Sequence, residues 1–140
     1  MSRASLLTAA LFALMTSIAP AQADDDVIKK GAKLFKKKCK TCHLNSPIGP
    51  ALTDVVGRKI ASVEGFENYS KALKAKNEAG ELWTEDNLKA FLTKPSEFAK
   101  GTGMGFAGFK KKKKRTKAVI EYLKTLKSAD KPAEEKQAAE

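Results

Sequence analysis

The stretch Lys36 to Leu44, KKKCKTCHL, holds the only two cysteines and the only histidine of the 140-residue chain: Cys39, Cys42 and His43. Several chemistries are open to two thiols and an imidazole at this spacing. A structural zinc site uses four ligands, and no second Cys or His pair exists to complete one. A dithiol redox motif belongs in a β-α-β setting, for which the chain has no pattern. A Cys39–Cys42 disulfide would close a ring too small to constrain the unfolded chain. Covalent haem attachment uses C-x-x-C-H as it stands. The two thiols add across the vinyl groups of one porphyrin edge, and the adjoining imidazole is held beneath the iron as an axial ligand. The motif therefore predicts one covalent haem c, attached at Cys39 and Cys42, with His43 as a metal ligand.

An iron held by His43 needs a sixth ligand or keeps an open face. Of the three methionines, Met1 and Met15 lie in an N-terminal stretch that reads as a cleaved signal, which leaves Met104. A lone Met is ordinarily core filler. Met104, however, stands between Gly103 and Gly105 in a glycine-rich stretch with little packing reason for a thioether. Its predicted role is the second metal ligand, giving the His and Met pair of low-spin electron carriers.

The N-terminus has one basic residue, Arg3, an apolar run from Leu6 to Ala19 and an Ala-x-Ala ending at Ala23. This reads as an export signal over residues 1–23, cleaved after Ala23, and the run is too short for a membrane span. Cleavage would leave 117 residues, enough for one domain and too few for two. It would also leave 26 basic against 16 acidic side chains, a formal net charge of +10. Such a balance favours acidic partners.

Elements must then carry these groups. From Asp24 the chain has acids first and lysines last, with Ile28, Ala32 and Phe35 at helical spacing, so a helix delivers the cysteines. Gly31 beside that stripe costs helix stability unless another backbone approaches closely. Residues 44–65 hold Pro47, Gly49, Pro50, Gly57 and Gly65 and read as irregular chain. Ser70 caps a short segment ending near Gly80, and Thr84 caps a helix stopped at Pro95. Thr116 opens a last helix with Val119, Tyr122, Leu123 and Leu126 on one face. Residues 24–127 make the domain, and 128–140 read as a disordered charged tail. So few short helices need a large apolar ligand to complete a core.

These residues carry a resemblance to class I cytochromes c, most closely the bacterial cytochromes c2. It runs from Gly31 to about Leu126 through GAKLFKKKCKTCH, IGPAL, VVGRK, GFENYS, LWTEDNL, GTGMGFAGF and AVIEYLKTL. The resemblance implies an all-α cytochrome c fold, three to five short helices and long loops wrapped around one covalently attached haem. It implies that the Pro50 carbonyl accepts from the free nitrogen of His43. It also implies that Arg58, Tyr69 and Trp83 hold a haem propionate, although Trp83 alone would also suit a plain core. Gly31 and Phe35 would pack on Tyr122. Three positions depart from the family: Phe91 replaces a common tyrosine, Leu73 an asparagine and Gly103 a lysine.

The function expected is that of a periplasmic, monomeric one-electron carrier, not an enzyme. By resemblance it would shuttle electrons from a quinol-oxidising cytochrome complex to an oxidase or reaction centre. Its acidic redox partners would dock near Lys36, Lys37, Lys38 and Lys40, and near Lys110, Lys111, Lys112, Lys113, Lys114 and Arg115. No nucleic acid and at most peripheral membrane contact are expected. The rivals are a haem enzyme or gas binder with an open iron face, and a cofactor-free basic protein. The first lacks a distal histidine, and the second leaves C-x-x-C-H unexplained.

Overall fold

A computed structural model describes residues 21–44 and 48–128. The predicted export signal and the charged tail lie outside these residues except at their inner edges. Ala21 already belongs to the first helix, which spans the bond after Ala23. Ser128 is bonded to Asp54.

The described residues form six helical segments: α1 Ala21–Lys38, α2 Lys40–His43, α3 Lys71–Glu78, α4 Glu85–Thr93, α5 Pro95–Phe98 and α6 Lys113–Thr125. Two are single turns, α2 and α5, and they account for the excess over the expected three to five. Among the described residues the only β feature is an isolated bridge between Lys59 and Leu82.

Local chemistry sets most of the boundaries. Asp24 lies in the first turn of α1 and Lys36, Lys37 and Lys38 in its last, matching the helix dipole. Ser70 Oγ accepts from Leu73 N–H at 3.3 Å to cap α3, and Thr84 Oγ1 accepts from Asn87 N–H at 3.1 Å to cap α4. Pro95 forces Lys94 out of the helical region, to φ −156° and ψ 88°, which ends α4. Pro95 then starts α5 as its first residue, where its missing N–H costs nothing.

The last helix differs from expectation. It begins at Lys113 rather than Thr116, with no side-chain cap and with Lys113, Lys114 and Arg115 at its positive end. Thr116 is instead a buried residue of the first turns. Burial of Ala118, Val119, Ile120 and Leu123 sets the helix, and the polar cap rule does not decide its start.

The terminal helices cross where Gly31 meets α6. A Cβ at Gly31 would lie 1.9 Å from the Ala118 carbonyl oxygen and 2.8 Å from Tyr122 Cβ, so only glycine allows this approach. One turn on, the Phe35 and Tyr122 rings meet at 5.1 Å. This is the packing the resemblance implied. Phe35 is 2% exposed, and burying such a side chain is worth about 1.5–3 kcal/mol.

The remaining chain wraps the other side. Residues 57–60 run beside 81–83 through Trp83 N–H to Arg58 O at 2.7 Å, Gly57 N–H to Trp83 O at 2.9 Å and Ile60 N–H to Glu81 O at 2.9 Å. Asn77 Nδ2 of α3 donates to Ile60 O at 2.6 Å and fixes this strip to the helix.

Candidate functional site

Between the crossing helices and the wrapped loops lies a cavity of about 410 Å³. Its walls are largely apolar, with Leu52, Val55, Leu88, Leu92, Val119 and Leu123 among them. All eight residues singled out by sequence line it: Cys39, Cys42, His43, Pro50, Arg58, Tyr69, Trp83 and Met104. The three family departures, Leu73, Phe91 and Gly103, line it as well.

The thiols and the imidazole come from one continuous turn of chain. Cys39 N–H donates to Phe35 O at 2.8 Å and His43 N–H to Cys39 O at 3.1 Å, so the helical path continues from α1 into α2. Spacings of three and four then put Cys42 and His43 on the same side as Cys39. Both thiols are free, Cys39 buried and Cys42 half-buried. Burial, and secondarily the neighbouring Cys42, pushes the Cys39 thiol up to about 11. An ionised thiolate is therefore disfavoured at Cys39, whereas a neutral sulfur such as a thioether suits the setting. Among the described residues no group of three or more His, Cys, Asp or Glu side chains converges as a metal-ion site.

His43 has a fixed tautomer. Its Nδ1 lies 2.7 Å from the Pro50 carbonyl oxygen. A carbonyl can only accept, so Nδ1 carries a proton and Nε2 is the ring atom open to a metal. The turn that delivers Pro50 is tight against the ring. A Cβ at Gly49 would lie 2.8 Å from His43 Nδ1, and Gly49 N–H donates to Cys42 O at 2.9 Å.

Arg58 supplies an independent indication of what the cavity takes. Its Nη1 donates to Thr53 O at 2.7 Å and its Nη2 to Ala51 O at 2.8 Å, while its buried Nε has no partner. Burial lowers the Arg58 pKa, against the opposing pull of Tyr69 and Asp54. A buried N–H donor without an acceptor is costly. An anionic oxygen on a ligand of the cavity would satisfy it, which is the chemistry of a haem propionate. Tyr69 sits nearby with its hydroxyl accepting from Val63 N–H at 3.3 Å, and burial raises its pKa. Trp83 is 8% exposed and packs on Phe91 at 5.1 Å and on Phe98 at 5.8 Å. The residues present fit one haem: two thiols, an imidazole, a thioether, an arginine donor and an apolar envelope.

Sequence reasoning missed Thr102 and Phe66. Thr102 Oγ1 accepts from Met104 N–H at 3.3 Å, and Phe66 meets Tyr69 edge-on at 4.8 Å. The first was readable, because a threonine two residues before the key methionine is a local turn signal. The second depends on how the loop closes and left no local trace.

The family model described as cytochrome c matches residues 28–127. The chain is 45% identical over 102 residues to a cytochrome c of Gibberella zeae, covering 69% of this chain and 92% of that protein. It is 40% identical over 102 residues to cytochrome c-550 of Ancylobacter novellus, with the same two coverages of 69% and 92%. The solved structure of cytochrome cH from Methylobacterium extorquens superposes with a TM-score of 0.61 at 36% identity, covering 70% of this chain and 97% of that one. An apolar cavity lined by Cys39, Cys42 and His43 of the C-x-x-C-H, in a chain matched over 100 residues by the family model, leaves one assignment: the chain belongs to the cytochrome c family, electron carriers that bind one covalently attached haem c.

Proposed function

We propose that the chain is a periplasmic one-electron carrier of the cytochrome c2 type. Cys39 and Cys42 would hold the haem through two thioethers, His43 and Met104 would ligate its iron, and Arg58, Tyr69 and Trp83 would hold a propionate. Haem bound there supplies a one-electron couple between Fe(II) and Fe(III). The protein's own part is to fix both ligands, exclude water and keep the couple within reach of a partner. Pro50 sets the His43 tautomer, and the largely apolar walls keep the local dielectric low, which with a thioether ligand favours a high potential.

The observation that carries this reading is the convergence of Cys39, Cys42, His43 and Met104 on one apolar cavity. Residues 1–23, with their Ala-x-Ala end, support export. Among the described residues no helix is long and apolar enough to cross a membrane. Donor and acceptor are a quinol-oxidising cytochrome complex and an oxidase or reaction centre. They dock through acidic surfaces onto Lys36, Lys37, Lys38 and Lys40, and onto the run from Lys110 to Arg115. Lys38 of the first cluster lines the cavity.

The test is a mass and a spectrum. Protein exported by a host with haem-attachment machinery should exceed the bare chain by one haem. Its reduced visible bands should be sharp and indifferent to carbon monoxide. A bare mass overturns haem attachment, and prompt carbon monoxide binding transfers the chain to the open-faced enzymes and gas binders.

A further inference from the structure

Met104 sits in a segment whose described hydrogen bonds are local. Thr102 N–H donates to Ala99 O at 3.1 Å, and Met104 N–H to Thr102 Oγ1 at 3.3 Å. Ties to the rest of the fold come at the two ends. After it, Phe109 N–H donates to Leu92 O at 2.8 Å. Before it stands Phe98, the last residue of α5, followed by the fully buried Ala99.

Phe98 is gripped by three groups. Trp83 stacks on it at 5.8 Å and 24°, Phe91 meets it edge-on at 5.6 Å, and Lys76 Nζ of α3 lies 4.6 Å from the ring centroid. The same ammonium pairs with both carboxylate oxygens of Glu81, at 3.2 and 3.0 Å. Glu81 belongs to the strip that also orders Trp83, since Glu81 O accepts from Ile60 N–H and Arg58 O from Trp83 N–H. A partly desolvated cation over an aromatic face, held there by a carboxylate, is a directional contact worth more than the area it covers. At 26% exposure the Lys76 side chain meets that condition.

We infer that Lys76 is a positioning residue for Met104: paired with Glu81 and seated on Phe98, it pins the entry of the methionine segment to α3 and holds that segment against the cavity. The inference rests on the reading of Met104 as a ligand. Its consequence is that local opening of residues 99–104, the step by which a competing ligand reaches the iron, is governed from a helix that supplies no ligand.

The test uses haem-loaded full chain in three variants. Lys76→Met keeps the aliphatic stem and removes the charge, Lys76→Arg keeps the cation, and Lys124→Met removes an unrelated pair, the 2.7 Å bridge from α6 to Glu85. Two readouts report opening: the rate of carbon monoxide uptake by reduced protein, and amide hydrogen exchange at Thr102 and Met104. Both are taken where helical circular dichroism is unchanged. Lys76→Met should raise both rates about fivefold, Lys76→Arg should stay within about twofold of the parent, and Lys124→Met should leave both unchanged. Parent rates in Lys76→Met, or an equal rise in Lys124→Met, overturn the inference. Met104→Ala separates the two readings. If it takes up carbon monoxide no faster than the parent, the ligand assignment fails, and exchange alone then decides whether Lys76 holds the segment.

Discussion

The crossing of α1 and α6 and the loops around the cavity are built on opposite plans. At the crossing, protein meets protein: Gly31 lies on the Ala118 carbonyl and Phe35 on Tyr122. Around the cavity, aliphatic side chains line space and Arg58 Nε points at no protein acceptor. One region is closed by its own atoms, while the other takes its form around a guest. Removing the guest is therefore the largest perturbation available. Without it the apolar walls of this cavity lose their packing partner, and core truncations that leave far smaller cavities already cost about 2–5 kcal/mol. Cys39→Ser with Cys42→Ser should abolish cooperative thermal unfolding, with any residual amide protection concentrated in α1 and α6. A haem-free double variant that melts like the parent would refute the contrast.

The opposite test loads the self-sufficient side. Gly31→Val drives a side chain into the Ala118 carbonyl, where a bare Cβ already comes within 1.9 Å, and should cost about 3 kcal/mol or more in denaturant unfolding of the haem-loaded protein. Gly103→Ala is the matched control on the cavity side. No protein heavy atom lies within 4 Å of a Cβ there, and the resemblance puts a lysine at this position beside a bound haem, so the change should stay within about 0.5 kcal/mol of the parent. Equal losses at the two glycines would show that the crossing is no more tightly packed than the loop.

The same contrast separates what was legible in the sequence from what was not. Cys39, Cys42 and His43 declare themselves because their chemistry needs fixed local spacing. Ser70, Thr84 and Pro95 mark helix ends because capping and the pre-proline restriction act within a few residues. Gly31 was legible as an anomaly, a costly residue needing a close neighbour, though the neighbour came from the resemblance. Pro50, Arg58, Tyr69 and Trp83 came from the resemblance alone, since no period or spacing joins residues that converge only when loops close. The start of α6 was misread at Thr116 because a polar residue suggested a cap where tertiary burial decides. The Lys59 and Leu82 bridge and the Lys76 contact with Phe98 connect segments more than 20 residues apart and leave no local trace.

Charge gives a smaller and two-signed effect. Lys113 and Lys114 stand in the first turn of α6 with no acid beside them, against the helix dipole, so their placement opposes stability. Reversing Lys111, Lys112 and Lys113 to Glu should slow electron transfer to a purified acidic acceptor about tenfold at low salt, with little change in potential. The rates of parent and variant should converge as screening shortens toward a few ångströms at high salt. The reversal at Lys113 should also stabilise α6 by about 0.3–1 kcal/mol. A variant that is both slower and less stable would mean that these lysines pack rather than steer.

The smallest effect tests the seam where the two regions join. Asp54, in the loop that carries Arg58, accepts from both the N–H and the hydroxyl of Ser128, at 3.0 and 2.7 Å, just beyond α6. Its own N–H donates to Leu126 O at 2.7 Å. The two Ser128 bonds, with help from the charges of Lys127 and Arg58, hold the Asp54 carboxyl below its ordinary value. A carboxyl whose folded pKa is depressed binds its proton more readily in the unfolded chain. The stability it lends is therefore present above the unfolded value, about 3.9, and is lost as pH falls through the lower folded value. Asp54→Asn isolates the charge, because asparagine tolerates the left-handed φ of 53° at this position and keeps an oxygen for Ser128. Denaturant midpoints of parent and variant should differ slightly near neutral pH and converge as pH falls below the lowered folded value. The same difference at pH 6 and pH 2 would show that the bond to Ser128 needs no carboxylate, and that the seam between α6 and the cavity loop is held by the backbone alone.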